Sequence, residues 1–196
     1  TTYGAWIYGV LFLVVFAETG LIVTPILPGD SLLFAAGAMA ATGAMDIRLV
    51  ALLLVMAAVA GDALNYAVGR AVGTRIIRKT EVDPRWARWI NPTHIARAHE
   101  FFERHGGKAI VLGRFMPIVR TFVPFVAGAA AMSYPSFAFY NVAGATAWVG
   151  VCAGAGYLFG NVAVVKENFT LVALGIVAVS LLPMFVEYLR HRTRQA

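Results

Sequence analysis

Long stretches of this chain carry no charge at all, and that excludes most soluble folds. Phe137–Phe159 contains no Asp, Glu, Lys or Arg, and neither do Phe169–Val186 and Leu49–Gly61. A helix rises about 1.5 Å per residue, so about 20 apolar residues match the roughly 30 Å hydrocarbon core of a bilayer. One such run is compatible with the core helix of a soluble protein; several within 196 residues are not. Charged residues make up 13% of the chain, against about 25% in soluble domains. The chain is expected to be an all-α, polytopic membrane protein. The first apolar run is not expected to be a signal peptide, since it lacks a basic leading segment and Glu18 interrupts it.

The formal net charge of +6 is not a nucleic-acid signature, because of where the charge lies. Nine Lys/Arg fall within Arg70–Lys108, and Arg190, Arg192 and Arg194 crowd the tail. Basic residues between apolar runs mark cytoplasmic loops and a surface that attracts anionic lipid. The expected partners are therefore membrane lipids and not nucleic acid, with a homo-oligomer allowed. The single cysteine, Cys152, offers no internal disulfide.

Proline punctuates the apolar segments. After residues 4–23, the segment Thr24-Pro25-Ile26-Leu27-Pro28-Gly29-Asp30 cannot remain helical, because each proline lacks an N–H and clashes with the preceding turn. The following piece, Ser31–Ala44, is too short to span. Asp46 is placed to cap a transmembrane helix over Ile47–Arg70. Residues 71–108 are expected to be a polar connection. Its one helix lies between Asn91-Pro92 and Gly106-Gly107 and rests on the membrane surface through Phe101, Phe102, Trp86 and Trp89. Ala109–Met132 is again apolar and is expected to be broken by Pro117 and Pro124. Ser133-Tyr134-Pro135-Ser136 is expected to cap a helix over Phe137–Gly160, and Phe169–Tyr188 is a last helix.

The halves repeat. Gly37 matches Gly128, and Tyr66-Ala-Val-Gly69 matches Tyr157-Leu-Phe-Gly160, each 91 residues apart. With the basic connection and tail both inside, the two broken hairpins must enter from opposite faces. The expected architecture is an inverted-topology repeat within a single membrane domain over 1–196. Repeat one covers about 9–71, the cytoplasmic connection 72–108 and repeat two about 109–161, with an added transmembrane helix at 168–189.

Buried charge points to function. Each charge at the bilayer centre costs about 2.5–3.5 kcal/mol, so Glu18 and Asp30 of the first hairpin are expected to pair with Arg114 and Arg120 of the second. The arginines suit bidentate phosphate binding, and the acids are the candidate proton carriers. Asp62 and Tyr66 share a helix face with Arg70 near its cytoplasmic end, where capping and substrate entry are equally open roles. Asn65, Asn141 and Thr121 are further polar candidates. Pro25, Pro28, Gly29, Pro117, Pro124 and Gly128 shape the backbone. His94, His99, His105 and His191 lie in polar segments without metal-ligand spacing, and no phosphate-loop or dinucleotide motif occurs. Neither metal nor cofactor is expected.

Three ordered motifs carry a family resemblance. Glu18 followed by Pro25-Ile-Leu-Pro28-Gly29-Asp30-Ser-Leu-Leu resembles the first signature of the DedA family, within the SNARE-associated, or VTT-domain, superfamily. Gly61-Asp62-x-x-x-Tyr66-x-x-Gly69-Arg70 resembles its second, and Gly113-Arg114-Phe115-x-Pro117-x-x-Arg120-x-x-x-Pro124-x-x-Ala127-Gly128 its third. The resemblance implies a bacterial inner-membrane, multi-pass protein, with its C-terminus cytoplasmic, that translocates lipid. It implies a proton-coupled flippase for undecaprenyl phosphate, with Glu18, Asp30, Arg114 and Arg120 as functional residues. A broader phospholipid scramblase is one alternative and a membrane-embedded lipid phosphatase another, the latter needing a nucleophile beside the arginines. The expectation is a transporter and not an enzyme.

Overall fold

The computed structural model describes residues 2–21, 29–82, 92–116 and 119–162, and these are helical with no strand among them. In chain order the helices are α1 (Thr2–Gly20), α2 (Gly29–Ala41), α3 (Ile47–Val82), α4 (Pro92–His105), α5 (Lys108–Gly113), α6 (Val119–Ala129) and α7 (Tyr134–Gly160). Pro25, Pro28, Asn91, Trp86, Trp89, Pro117 and the C-terminal helix expected at 168–189 lie outside the described residues.

Two helices are long and apolar enough to cross a bilayer, over Ile47–Gly73 and Tyr134–Gly160. Each apolar stretch has 27 residues, about 40 Å of helix. Only 33% of the apolar window in each is buried against protein, whereas the core helix of a soluble protein is mostly covered. Leu52, Met56, Phe139, Val151 and Leu158 stand outward, an apolar surface that suits a lipid surrounding. The protein is an α-helical membrane protein.

Local signals account for the helix ends. Asp46 caps α3, its Oδ1 accepting the N–H of Arg48 at 2.7 Å and of Leu49 at 3.2 Å. Yet α3 does not stop at Arg70; it runs on to Val82. No proline interrupts that stretch, and arginine and lysine are good helix formers. The polar connection is correspondingly shorter than expected. Helix α4 starts with Pro92 and ends before Gly106, whose φ of +56° suits glycine. Its Ala98 is buried, and Phe101 and Phe102 pack on the protein core formed with Ile110, Phe122 and Phe137. Phe101 and Phe102, partly buried, thus lean on α5 and α6, which offer them an apolar surface.

Pro124 does not break the second hairpin; it lies inside α6. In apolar surroundings a broken backbone has no water to bond, which favours keeping the helix. Asn65 Nδ2 donates to the Thr121 carbonyl at 2.7 Å, one turn before the proline. After α6 the chain closes in a Schellman turn: Met132 N–H donates to the Ala127 carbonyl at 3.0 Å and Ala131 N–H to Gly128, with Ala131 at a φ of 56°. Helix α7 begins at Tyr134, three residues before the expected Phe137, because Pro135 is preorganised for a first turn.

The chain divides into two compact units. Among the described residues, one holds α2, the start of α3 and the end of α7; the other holds α1, the rest of α3, α4 to α6 and the start of α7. Inside the first, Gly37 lies against the Ala153 backbone and Gly156 against that of Phe34. Inside the second, Gly128 lies against the Tyr66 carbonyl and Gly69 against the Phe125 backbone. Each crossing is so close that a Cβ would overlap backbone atoms, the small-residue packing that membrane helices use. In the short helices, the two close-packed glycines Gly37 and Gly128 lie 91 residues apart. The long helices match 87 apart, Gly69 to Gly156 and Gly73 to Gly160. The packing equivalent of Gly69 is therefore Gly156 and not Gly160, one helical turn from the pairing that the Tyr-x-x-Gly sequences suggest.

Candidate functional site

All the buried charge among the described residues gathers in the second unit. Glu18, near the end of α1, is 2% exposed and is bonded to Arg120 in the first turn of α6. Arg114 directly follows α5 and is 5% exposed; its NH2 group donates to Asp62 of α3 and, at 2.6 Å, to Asn141 Oδ1 of α7. Asn141 is itself fixed, because its Nδ2 donates to the Val59 carbonyl at 3.0 Å. The Trp148 ring covers both guanidiniums, with Arg114 Cζ 5.9 Å and Arg120 Cζ 5.5 Å from its centroid, a cation–π distance.

Arg120 is at the unfavourable end of its helix. Cations near a helix N-terminus oppose the macrodipole, so nothing local to α6 explains a guanidinium there. Its stabilisation comes from Glu18, 102 residues away in the chain. Arg114 likewise relies on Asp62 and Asn141, 52 and 27 residues away.

Glu18, Thr19, Asp62, Arg114, Arg120, Thr121 and Trp148 line one cavity. It leaves about 10 Å³ for the centre of a water molecule, room for roughly one water. A phosphate is much larger, so the cavity has no room for one here; the ion pairs fill it. Among the described residues, Glu18 Oε2, Arg114 Nε and Asn65 Oδ1 are buried without a hydrogen-bond partner.

The remaining residues of the second motif are structural in geometry. Tyr66 Oη donates to the Met132 carbonyl, and Arg70 reaches the same oxygen at 3.4 Å. They clasp the turn after α6 onto α3. Asp62 is not beside them at a helix end. Eleven residues separate it from Gly73, about 16 Å along the axis, so it lies well inside the apolar stretch.

The expected pairing therefore holds for Glu18 with Arg120 and changes for Arg114, whose acid is Asp62. Asp30 is exposed in the first turn of α2, in the other unit, where an acid complements the helix dipole. Gly29 is buried next to it. Thr121 lines the cavity, and Pro124 and Gly128 are buried in α6. Trp148 and Thr19 were not singled out from sequence. No local pattern marks Trp148, whereas Asp62 had a signal: it is the lone charge between Arg48 and Arg70.

Residues 27–158 match the VTT domain family. Protein DedA of Escherichia coli K12 is 46% identical over 196 residues, covering 99% of this chain and 87% of that protein. An uncharacterized membrane protein of Mycobacterium leprae is 39% identical over 173 residues, covering 88% and 75%. The inner membrane protein YqjA of Escherichia coli K12 is 36% identical over 156 residues, covering 79% and 68%. No solved structure matches this chain.

Proposed function

We propose a function for this chain from one premise: it belongs to the DedA family of VTT-domain membrane proteins. It is a proton-coupled flippase that carries a lipid phosphate, undecaprenyl phosphate, across the bacterial inner membrane. The observation that supports this reading is the pair of buried arginines, each bonded to a carboxylate, around one cavity in a membrane-spanning chain. A phosphate offers the guanidiniums a bidentate, doubly charged partner in place of the carboxylates. Glu18 then takes up a proton, because a bare carboxylate at that depth is costly. Asp30 is a further proton-carrying acid in this reading. The prenyl tail stays in lipid along the apolar flanks of the helices.

The fold reading that goes with it is an inverted repeat of re-entrant hairpins, with a cytoplasmic C-terminus. The short helices support it, since α2 has 13 residues and α6 has 11, too few to span a bilayer. The recurring glycine-on-backbone crossings support it too.

A liposome assay tests the proposal. Purified protein should move undecaprenyl phosphate between leaflets faster under an imposed proton gradient, and Arg114→Ala and Arg120→Ala should abolish the acceleration. Equal movement of ordinary phospholipids would make it a general scramblase. Release of inorganic phosphate from labelled lipid would make it a phosphatase.

A further inference from the structure

The transport reading leaves one buried carboxylate without a task. Among the described residues, Glu18 and Asp62 are the acids that line the cavity, facing Arg114 and Arg120. Two positive and two negative groups leave the cluster neutral. Its free space holds about one water, so a phosphate reaches both guanidiniums only if both ion pairs part.

The surroundings of Asp62 are built for that exchange. From the end of α5, Arg114 is its partner, and from α7, Asn141 holds the same NH2 group at 2.6 Å. Across the cavity stand Glu18 of α1 and Arg120 of α6. Along α3 itself, Tyr66 and Arg70 are engaged at the Met132 carbonyl. When Asp62 lets go, Asn141 and the Trp148 ring keep Arg114 in place without charge. An inert staple would need no such second anchor. Arg114 Nε and Glu18 Oε2, on residues lining the same cavity, are buried with no partner among the described residues. They are unused hydrogen-bonding capacity for an incoming ligand.

Resting on the transport reading, we propose that Asp62 is a second proton site, so that two protons enter the cluster for each phosphate monoester bound. The charges balance. A monoester carries close to −2 above its second ionisation near pH 6. Before binding, two guanidiniums face two carboxylates. After binding, the same two guanidiniums face the phosphate dianion, and Glu18 and Asp62 are both neutral acids. The site is neutral in each state. A phosphodiester, with a single charge, requires one proton.

Calorimetric titration of the full chain in detergent micelles with geranyl phosphate, in buffers of different ionisation heat at about pH 8, counts the protons taken up per ligand, the monoester being fully ionised there. Two protons are expected for the wild type and one each for Asp62→Asn and Glu18→Gln. Uptake by Asp62→Asn equal to that of the wild type would overturn the proposal and leave the transport reading intact. Infrared difference spectra of the wild type need no variant. Two new protonated-carboxyl bands are expected on adding geranyl phosphate, and a single band would sink the idea. Failure of the wild type to bind the probe would remove the transport reading and this inference together.

Discussion

Removing the Glu18 carboxylate should destabilise the protein far more than removing the whole ion pair. Glu18 is 2% exposed, and the Arg120 side chain, at 13%, is nearly as deep. Deleting one partner of a buried pair leaves an uncompensated charge and costs about 3–5 kcal/mol. Arg120 adds to this because it stands in the first turn of α6, where the helix dipole opposes a cation by about 0.3–1 kcal/mol. Glu18→Leu should therefore fall at the upper end of that range. Arg120→Leu should cost about as much, by stranding Glu18. Replacing both with leucine removes both desolvation penalties, and such exchanges range from neutral to about 1–4 kcal/mol stabilising. The double-mutant cycle is thus strongly non-additive, with the double variant more stable than either single one. Equilibrium unfolding in mixed micelles, followed by tryptophan fluorescence, measures all four proteins. Single-variant costs below about 1 kcal/mol, adding to within about 0.5 kcal/mol, would refute the reasoning, since exposed and independent charges behave that way.

Three other outcomes follow from the geometry. Gly128→Val drives a side chain into the Tyr66 carbonyl and should lower stability by about 1–3 kcal/mol or more, read as a drop in the thermal midpoint in detergent. Ala131→Gly relieves a left-handed residue and should raise stability by about 1 kcal/mol in the same measurement. Tyr66→Phe loses the bond to the Met132 carbonyl and should cost about 0.5–1.5 kcal/mol of stability; liposome transport per folded molecule should be unchanged, as befits a clasp outside the cavity.

The site joins two properties that are usually opposed. Buried ion pairs are poor stabilisers compared with apolar packing, and here two of them fill one cavity. On the proposed transport reading, exchange of a carboxylate for a phosphate on the same guanidinium is a small net change between two costly arrangements. A cluster of that kind can cycle, whereas an apolar plug would have to be removed outright.

Membrane class, the helix starts at Asp46 and Pro92, the stop at Gly106 and the ion pairing of Glu18, Arg114 and Arg120 away from water were all legible in the sequence alone. Each rests on a local cause: run length against bilayer thickness, a side chain that caps its own helix, or a charge too costly to leave in lipid without a purpose. Tertiary structure decided the rest. That α6 runs on through Pro124 was decided by its packing among other helices. The surface that receives Phe101 and Phe102 was supplied by other helices. The register of the long helices was set by Gly69 and Gly156 meeting backbone, not by the Tyr-x-x-Gly likeness. The choice of Asp62 for Arg114, and the placing of Trp148 over both arginines, came from elements distant in the chain. Coulomb attraction and packing act over a few ångströms in space, and sequence spacing carries no record of which distant residues come that close.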